Sequence, residues 1–422
     1  MKRVIPIFII LILVWFFQVK IIPIPYQLYA YGNRFIFLIF FMLFALTRNV
    51  NVFRECKIRR GLLLYITLIM INCFTCLLYR QQPIYVSLLA WCPFFLLLFY
   101  PTFKSWNLSI KTWEFVLETL FVILLIGYIL QNVFISVELF DIEQDFEKLE
   151  IESRIRIFSD GILSLGALYC YNKYLIHKKL RLLILFVLAS LMLFLQGFRM
   201  ILFAYVLICA ILTIRILGNV LKTVVVSALA LVVISMASQL SFVKDKIGEI
   251  SERNEVANFD QKDYVRVVEL NFFYNSYFKD NLELFLGAGQ PIFDYNNPKA
   301  TNYSKYSTYR SELANTYHFY PVDLGLIGLS WEAGIPFTCF LVFIMLFFAF
   351  KKVDKQYYYL GLWEIMLVVI GTTHPLCYYH NNLIYTAMVF TMIDIVSKKS
   401  KNKHYTVANN GKEEDRYSNI LG

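Results

Sequence analysis

The sequence predicts an all-α, polytopic membrane protein, a bundle of about twelve transmembrane helices, and three observations carry that prediction. Of 422 residues, 59% are hydrophobic and only 17% are charged, well away on both axes from the composition of a soluble domain. The mean hydropathy is +0.58. Apolar runs recur along the chain, separated by short polar connections. An apolar content near 249 residues supplies about twelve spans at roughly 20 residues each and leaves little for a soluble core. Thirty-nine Phe and twenty-nine Tyr set against eleven Pro and seventeen Gly exclude disordered, collagen-like and coiled-coil classes.

The spans fall at 4–17, 35–47, 61–78, 84–100, 115–134, 161–176, 182–196, 200–217, 223–240, 322–349, 357–372 and 383–397. Met1-Lys2-Arg3 and the apolar run after it resemble a secretory signal, but no small-residue cleavage site follows, so a retained first helix is expected. The connections then set the orientation. Lys2, Arg3, Arg48, Arg54, Lys57, Arg59 and Arg60 share one side with Lys104, Lys111, Lys173, Lys178, Lys179 and Arg181. Arg215, Lys222, Lys351, Lys352, Lys355 and a basic tail from Lys398 complete that side, which holds 24 of the 40 basic residues. The positive-inside rule makes it cytoplasmic, with both termini inside. The net charge of +10 is explained by this bias and needs no nucleic-acid partner.

The eight cysteines lie mostly within apolar runs without framework spacing. Cys73 and Cys76 form a C-x-x-C, but inside INCFTCLLY they read as packing residues. The chain has no HExxH, no Cys/His cluster, no Walker A and no dinucleotide fingerprint, so no metal and no cofactor are expected. Carboxylates near spans are few; Glu118 and Glu364 are the two placed to be buried, while Asp323, Glu332 and Asp394 lie nearer span ends.

Four regions follow: helices over 1–240, a large extracytoplasmic loop over 241–321, helices over 322–397 and a cytoplasmic basic tail over 398–422. The loop departs from the short connections elsewhere and is rich in tyrosine, so it is expected to carry function. Its YVRVVELNFFYNSYFK segment places Val265, Val268, Phe272 and Phe273 at helical spacing, which predicts an amphipathic surface helix. LGAGQP then supplies a glycine turn, and the loop closes with Tyr317-His318-Phe319-Tyr320.

Three residues could carry chemistry. Arg199, in the short outer turn Gly197-Phe198-Arg199, is by itself explained as a snorkelling residue that ends a helix. Arg266 is by itself explained by an ion pair with Asp263 or Glu269, and His318, the loop's only histidine, by an interfacial packing role. His374 and His380 sit in the last outer loop, and Arg156 precedes the sixth span.

The order of QGFRMILFAYVLICAIL, DYVRVVEL, LFLGAGQPIF and YHFYPVDLGLIGLSWEAG resembles the O-antigen polymerase and O-antigen ligase superfamily of bacterial envelope glycosyltransferases. The resemblance covers roughly residues 150–340. The chain departs from that family in reading GFR at the arginine turn and in following the histidine with Phe and Tyr. The resemblance implies a GT-C-like membrane enzyme that uses undecaprenyl-diphosphate-linked glycans at the lipid bilayer of the inner membrane. It implies O-antigen or capsule polymerisation, with ligation to a terminal acceptor as the alternative, and a chain-length regulator as a partner. A different class of protein, a flippase or transporter of the lipid-linked unit, would concentrate polar residues in mid-span. On the enzymatic reading Arg199 and Arg266 clamp the leaving diphosphate as bidentate, permanent cations. His318 acts as general base toward the acceptor hydroxyl. Arg156, Tyr264, Tyr317, Tyr320, His374 and His380 then bind substrate, the tyrosines by packing their faces on sugar C–H surfaces.

Overall fold

A computed structural model describes residues 59–133, 160–195, 199–218, 270–271, 273–289, 324–374 and 382–397. Those residues are helical and connecting structure, with no strand among them. The predicted spans at 4–17, 35–47 and 223–240, the basic tail and most of the large loop lie outside the described residues.

Helix α1 runs Arg59–Arg80, α2 Ile84–Ala90, α3 Phe99–Ser105 and α4 Ile110–Val133. Then come α5 over Asp160–His177, α6 over Leu180–Leu195, α7 over Arg199–Leu217 and the short α8 over Asn281–Leu286. The last four are α9 (Leu326–Ala333), α10 (Ile335–Ala349), α11 (Tyr358–Gly371) and α12 (Asn382–Ser397). By length and composition, α1, α4 and α7 contain stretches able to cross a membrane, and α6, α10 and α12 are shorter apolar helices.

Two expected spans are interrupted. The run predicted at 84–100 is not one helix: α2 stops at Ala90, Cys92–Leu98 winds as a 3-10 helix, and α3 resumes at Phe99. Pro93 causes the break, since it has no N–H for the i→i−4 ladder. The run at 322–349 divides at Gly334 (φ 91°), and Pro336 stands in the first turn of α10. The expected surface helix is described only from residue 270 onward, and there Phe273–Tyr277 is a π-helix.

Within lipid, apolar burial gives no drive between helices, so close packing holds them together. Gly166 of α5 lies under the Phe121 ring of α4: a Cβ there would come within 2.1 Å of it. Lys173, seven residues after Gly166, meets Glu114, seven residues before Phe121, at 2.6 Å, which sets the antiparallel register of the pair. Gly361 of α11 similarly lets the Ala349 carbonyl of α10 approach. Aromatic rings fill the spaces between, with Phe348 stacked on Phe390 at 3.9 Å and Phe337 against Trp91 at 4.8 Å. Cys73 and Cys76 are fully buried free thiols, in keeping with a packing role.

Candidate functional site

One end of the bundle is built where the large loop returns to the helices. Residues Lys279–Gly289 form a hook over the end of α1 and the junction of α9 with α10. Asp280 opens α8 by accepting the backbone N–H groups of Leu282 at 3.0 Å and Glu283 at 2.8 Å, an N-cap that satisfies two otherwise orphaned donors. The Glu283 N–H and then the Tyr79 hydroxyl, which donates to Asp280 at 2.8 Å, hold this carboxyl below its ordinary range. Lys279 reaches the Tyr79 carbonyl at 2.5 Å.

Glu283 is wholly enclosed. Its carboxylate pairs with the Arg80 Nε at 2.5 Å and accepts the Lys279 N–H at 2.7 Å. The backbone beyond α8 is captured in turn. Ala288 and Gly289 donate to the carbonyls of Trp331 and Glu332 at 2.8 and 2.9 Å. Asn72 donates to the carbonyls of Leu286 at 2.8 Å and Glu332 at 3.0 Å, while its own oxygen accepts the Trp91 indole at 3.1 Å. One buried amide thus ties together α1, the hook, α9 and the segment before the 3-10 helix.

The contact requires glycine on both sides. Gly287 and Gly334 have φ of 85° and 91°, in the left-handed region. A Cβ on Gly287 would stand 2.3 Å from the Gly334 nitrogen, and one on Gly334 would stand 2.5 Å from the Leu286 carbonyl oxygen. Phe273 and Phe278 close over Trp331 at 5.2 and 6.3 Å, with Cys76, Ala288 and Leu324 in the same apolar cluster.

The LGAG turn and the LSWEAG segment, which stand apart in the sequence, therefore lie backbone against backbone. Among the sequence-predicted residues, His374 is at the same end: it follows α11, is half-buried, and donates its N–H to Ile370 at 2.9 Å. Gly325, at the head of α9, presses on that corner, a Cβ there falling 2.8 Å from the His374 nitrogen. Arg199 is the first residue of α7. At the other end of α7, Arg215 lies over the Tyr358 ring at the start of α11, so the two helices are antiparallel and Arg199 begins at the end of the bundle that carries His374. Arg156, Tyr264, Arg266, Tyr317, His318, Tyr320 and His380 lie outside the described residues.

Sequence reasoning missed Asn72, Arg80 and Glu283. Asn72 had a signal, as a polar side chain within the apolar run of α1. Arg80 had one too, as a basic residue on the side where such residues are scarce. Nothing local marks Glu283, whose charge partner, Arg80, comes from a helix far away in the sequence.

At the opposite end, Asp394 accepts Lys104 at 2.7 Å, Lys351 at 2.5 Å and the Tyr100 hydroxyl at 2.5 Å. Lys173 and Arg181 pair there with Glu114 and Glu118. Among the described residues, no three His, Cys, Asp or Glu side chains cluster as a metal site. The fold and this end together define an all-helical protein with helices fit to cross a membrane and a loop hook fastened over one end. No protein-family profile, curated protein or solved structure matches the chain.

Proposed function

We propose that this chain is a GT-C-like glycosyltransferase of about twelve spans in the bacterial inner membrane, both termini cytoplasmic. It polymerises undecaprenyl-diphosphate-linked oligosaccharide units into O-antigen or capsular polysaccharide on the extracytoplasmic face, without a metal ion. The observation that carries this reading is the seating of the LGAG turn on the LSWEAG segment. Two separate stretches that bear the resemblance to the polymerases meet at one end of the bundle, where α7 begins with Arg199 and where His374 lies.

The chemistry follows from the residue types. The acceptor hydroxyl attacks the anomeric carbon of the donor sugar, the C–O bond to the diphosphate breaks, and the polyprenyl diphosphate departs with the bonding electrons. His318 takes the hydroxyl proton. Arg199 and Arg266 stabilise the leaving charge, each charge-assisted bond contributing about 1.5–3 kcal/mol. Arg156, Tyr264, Tyr317, Tyr320, His374 and His380 hold glycan and phosphate.

The test is elongation of a purified lipid-linked repeat unit by the full-length protein, with and without chelator, beside polymer ladders from cells. Arg266→Ala and Arg199→Ala are expected to abolish the ladder, and chelator to leave elongation intact. Full-length ladders from both variants, or strict dependence on a divalent ion, would overturn the mechanism. Accumulation of lipid-linked glycan of normal chain length would identify a ligase instead.

A further inference from the structure

Glu364 occupies the middle of α11, and no residue of the proposed reaction uses it. Its side chain is fully buried, and neither carboxyl oxygen has a hydrogen-bond partner among the described residues. No ion pair reaches it there either, unlike Glu114, Glu118, Glu283 and Asp394, each of which meets a lysine or arginine. Leu360, Leu367 and Gly371 recur at helical spacing around it on the same face of α11, and all are buried. This face is apolar apart from the one carboxyl.

No charged side chain among the described residues pairs with it. Helix α5 begins at Asp160, ends at His177 and carries Tyr169, Cys170, Tyr171, Lys173 and Tyr174 between them; α7 begins at Arg199 and carries Tyr205, Cys209 and Arg215; α10 carries Cys339, which is exposed; α12 carries Tyr385 and Asp394. Lys173 is engaged by Glu114, Asp394 by Lys104 and Lys351, and Arg215 by the Tyr358 ring. On α11 itself, Tyr359 packs its ring on Tyr169. An ionised carboxylate in such surroundings would be far costlier than a neutral group, and a bound proton removes that cost without any further ligand.

We propose that Glu364 is a proton-binding site within the bundle, present as the neutral carboxylic acid at neutral pH. The inference does not rest on the glycan-polymerising reading and stands or falls separately from it. It gives the protein a titrating group in mid-helix, where exchange of the proton requires α11 to part from its neighbours.

Infrared difference spectroscopy on the full-length protein in lipid nanodiscs decides it, with Glu364→Gln and Glu364→Met as independent references of similar volume. At neutral pH the wild type minus either variant is expected to show a carboxylic-acid C=O stretch that shifts in D2O and is indifferent to sodium. A difference spectrum that contains carboxylate stretches instead would overturn the proposal. So would a carboxylate signal that appears on adding sodium or potassium, which would assign the site to a metal cation.

Discussion

The two ends of the bundle are fastened in different ways. At the Asp394 end the ties run from side chain to side chain, carboxylates meeting lysines and an arginine across helices. At the hook end the main ties end on backbone: five carbonyls, those of Tyr79, Glu283, Leu286, Trp331 and Glu332, are taken by donors, and among the described residues only Arg80–Glu283 is an ion pair there. Ion pairs between long side chains tolerate small shifts of the helices. Backbone contacts at left-handed glycines do not, because they fix the path of the chain itself. Precision is thus concentrated at the end where residues 279–289 are fastened.

The largest expected effect comes from breaking the Arg80–Glu283 pair at the hook. Glu283→Ala removes the buried carboxylate that meets both Arg80 and the Lys279 N–H, and is expected to cost about 3–5 kcal/mol. A double-mutant cycle with Arg80→Ala, read by thermal unfolding in detergent, should show the double variant losing much less than the sum of the two singles. Additive losses would mean that the pair is not coupled. Asn72→Leu follows. It takes the Asn72 donor from the Leu286 carbonyl, one of two donors from the Glu332 carbonyl and the acceptor from the Trp91 indole N–H, and about 2–3 kcal/mol should be lost together with faster proteolysis at 279–289. Unchanged proteolysis would show the hook to be held without Asn72. The smallest effect belongs to the opposite end: Arg181 is 72% exposed, so Arg181→Ala should change stability by only about 0.2–1 kcal/mol. A loss as large as that of Glu283→Ala would remove the contrast between the ends.

Much of the helical layout was legible because an apolar run must satisfy its own backbone in lipid. The expected segments at 161–176, 182–196, 200–217, 357–372 and 383–397 match α5, α6, α7, α11 and α12 to within two residues at each end. Hydropathy could not show the breaks at Pro93 and Gly334, since both interrupt the hydrogen-bond ladder without lowering apolarity. The site was legible only as motifs. That LGAG would seat on LSWEAG depends on an amide at Asn72, which is 260 residues from Glu332, and no local period encodes that distance. Glu364 was readable as a charge in an apolar run, whereas its lack of a partner depends on every helix around it.

The interlocked Gly287 and Gly334 also bear on how such a chain can vary. With Gly289 tied to Glu332 and Leu324 within the same apolar cluster, the stretch 290–323 is tethered to one end of the bundle at both of its own ends. The entropy of closing a loop grows only with the logarithm of its length, so each doubling costs about 0.6 kcal/mol. Insertions and deletions are therefore cheap between those two anchors and expensive within 279–289. A library of length variants across 279–323 should recover its folded members from 290–323 rather than from 279–289.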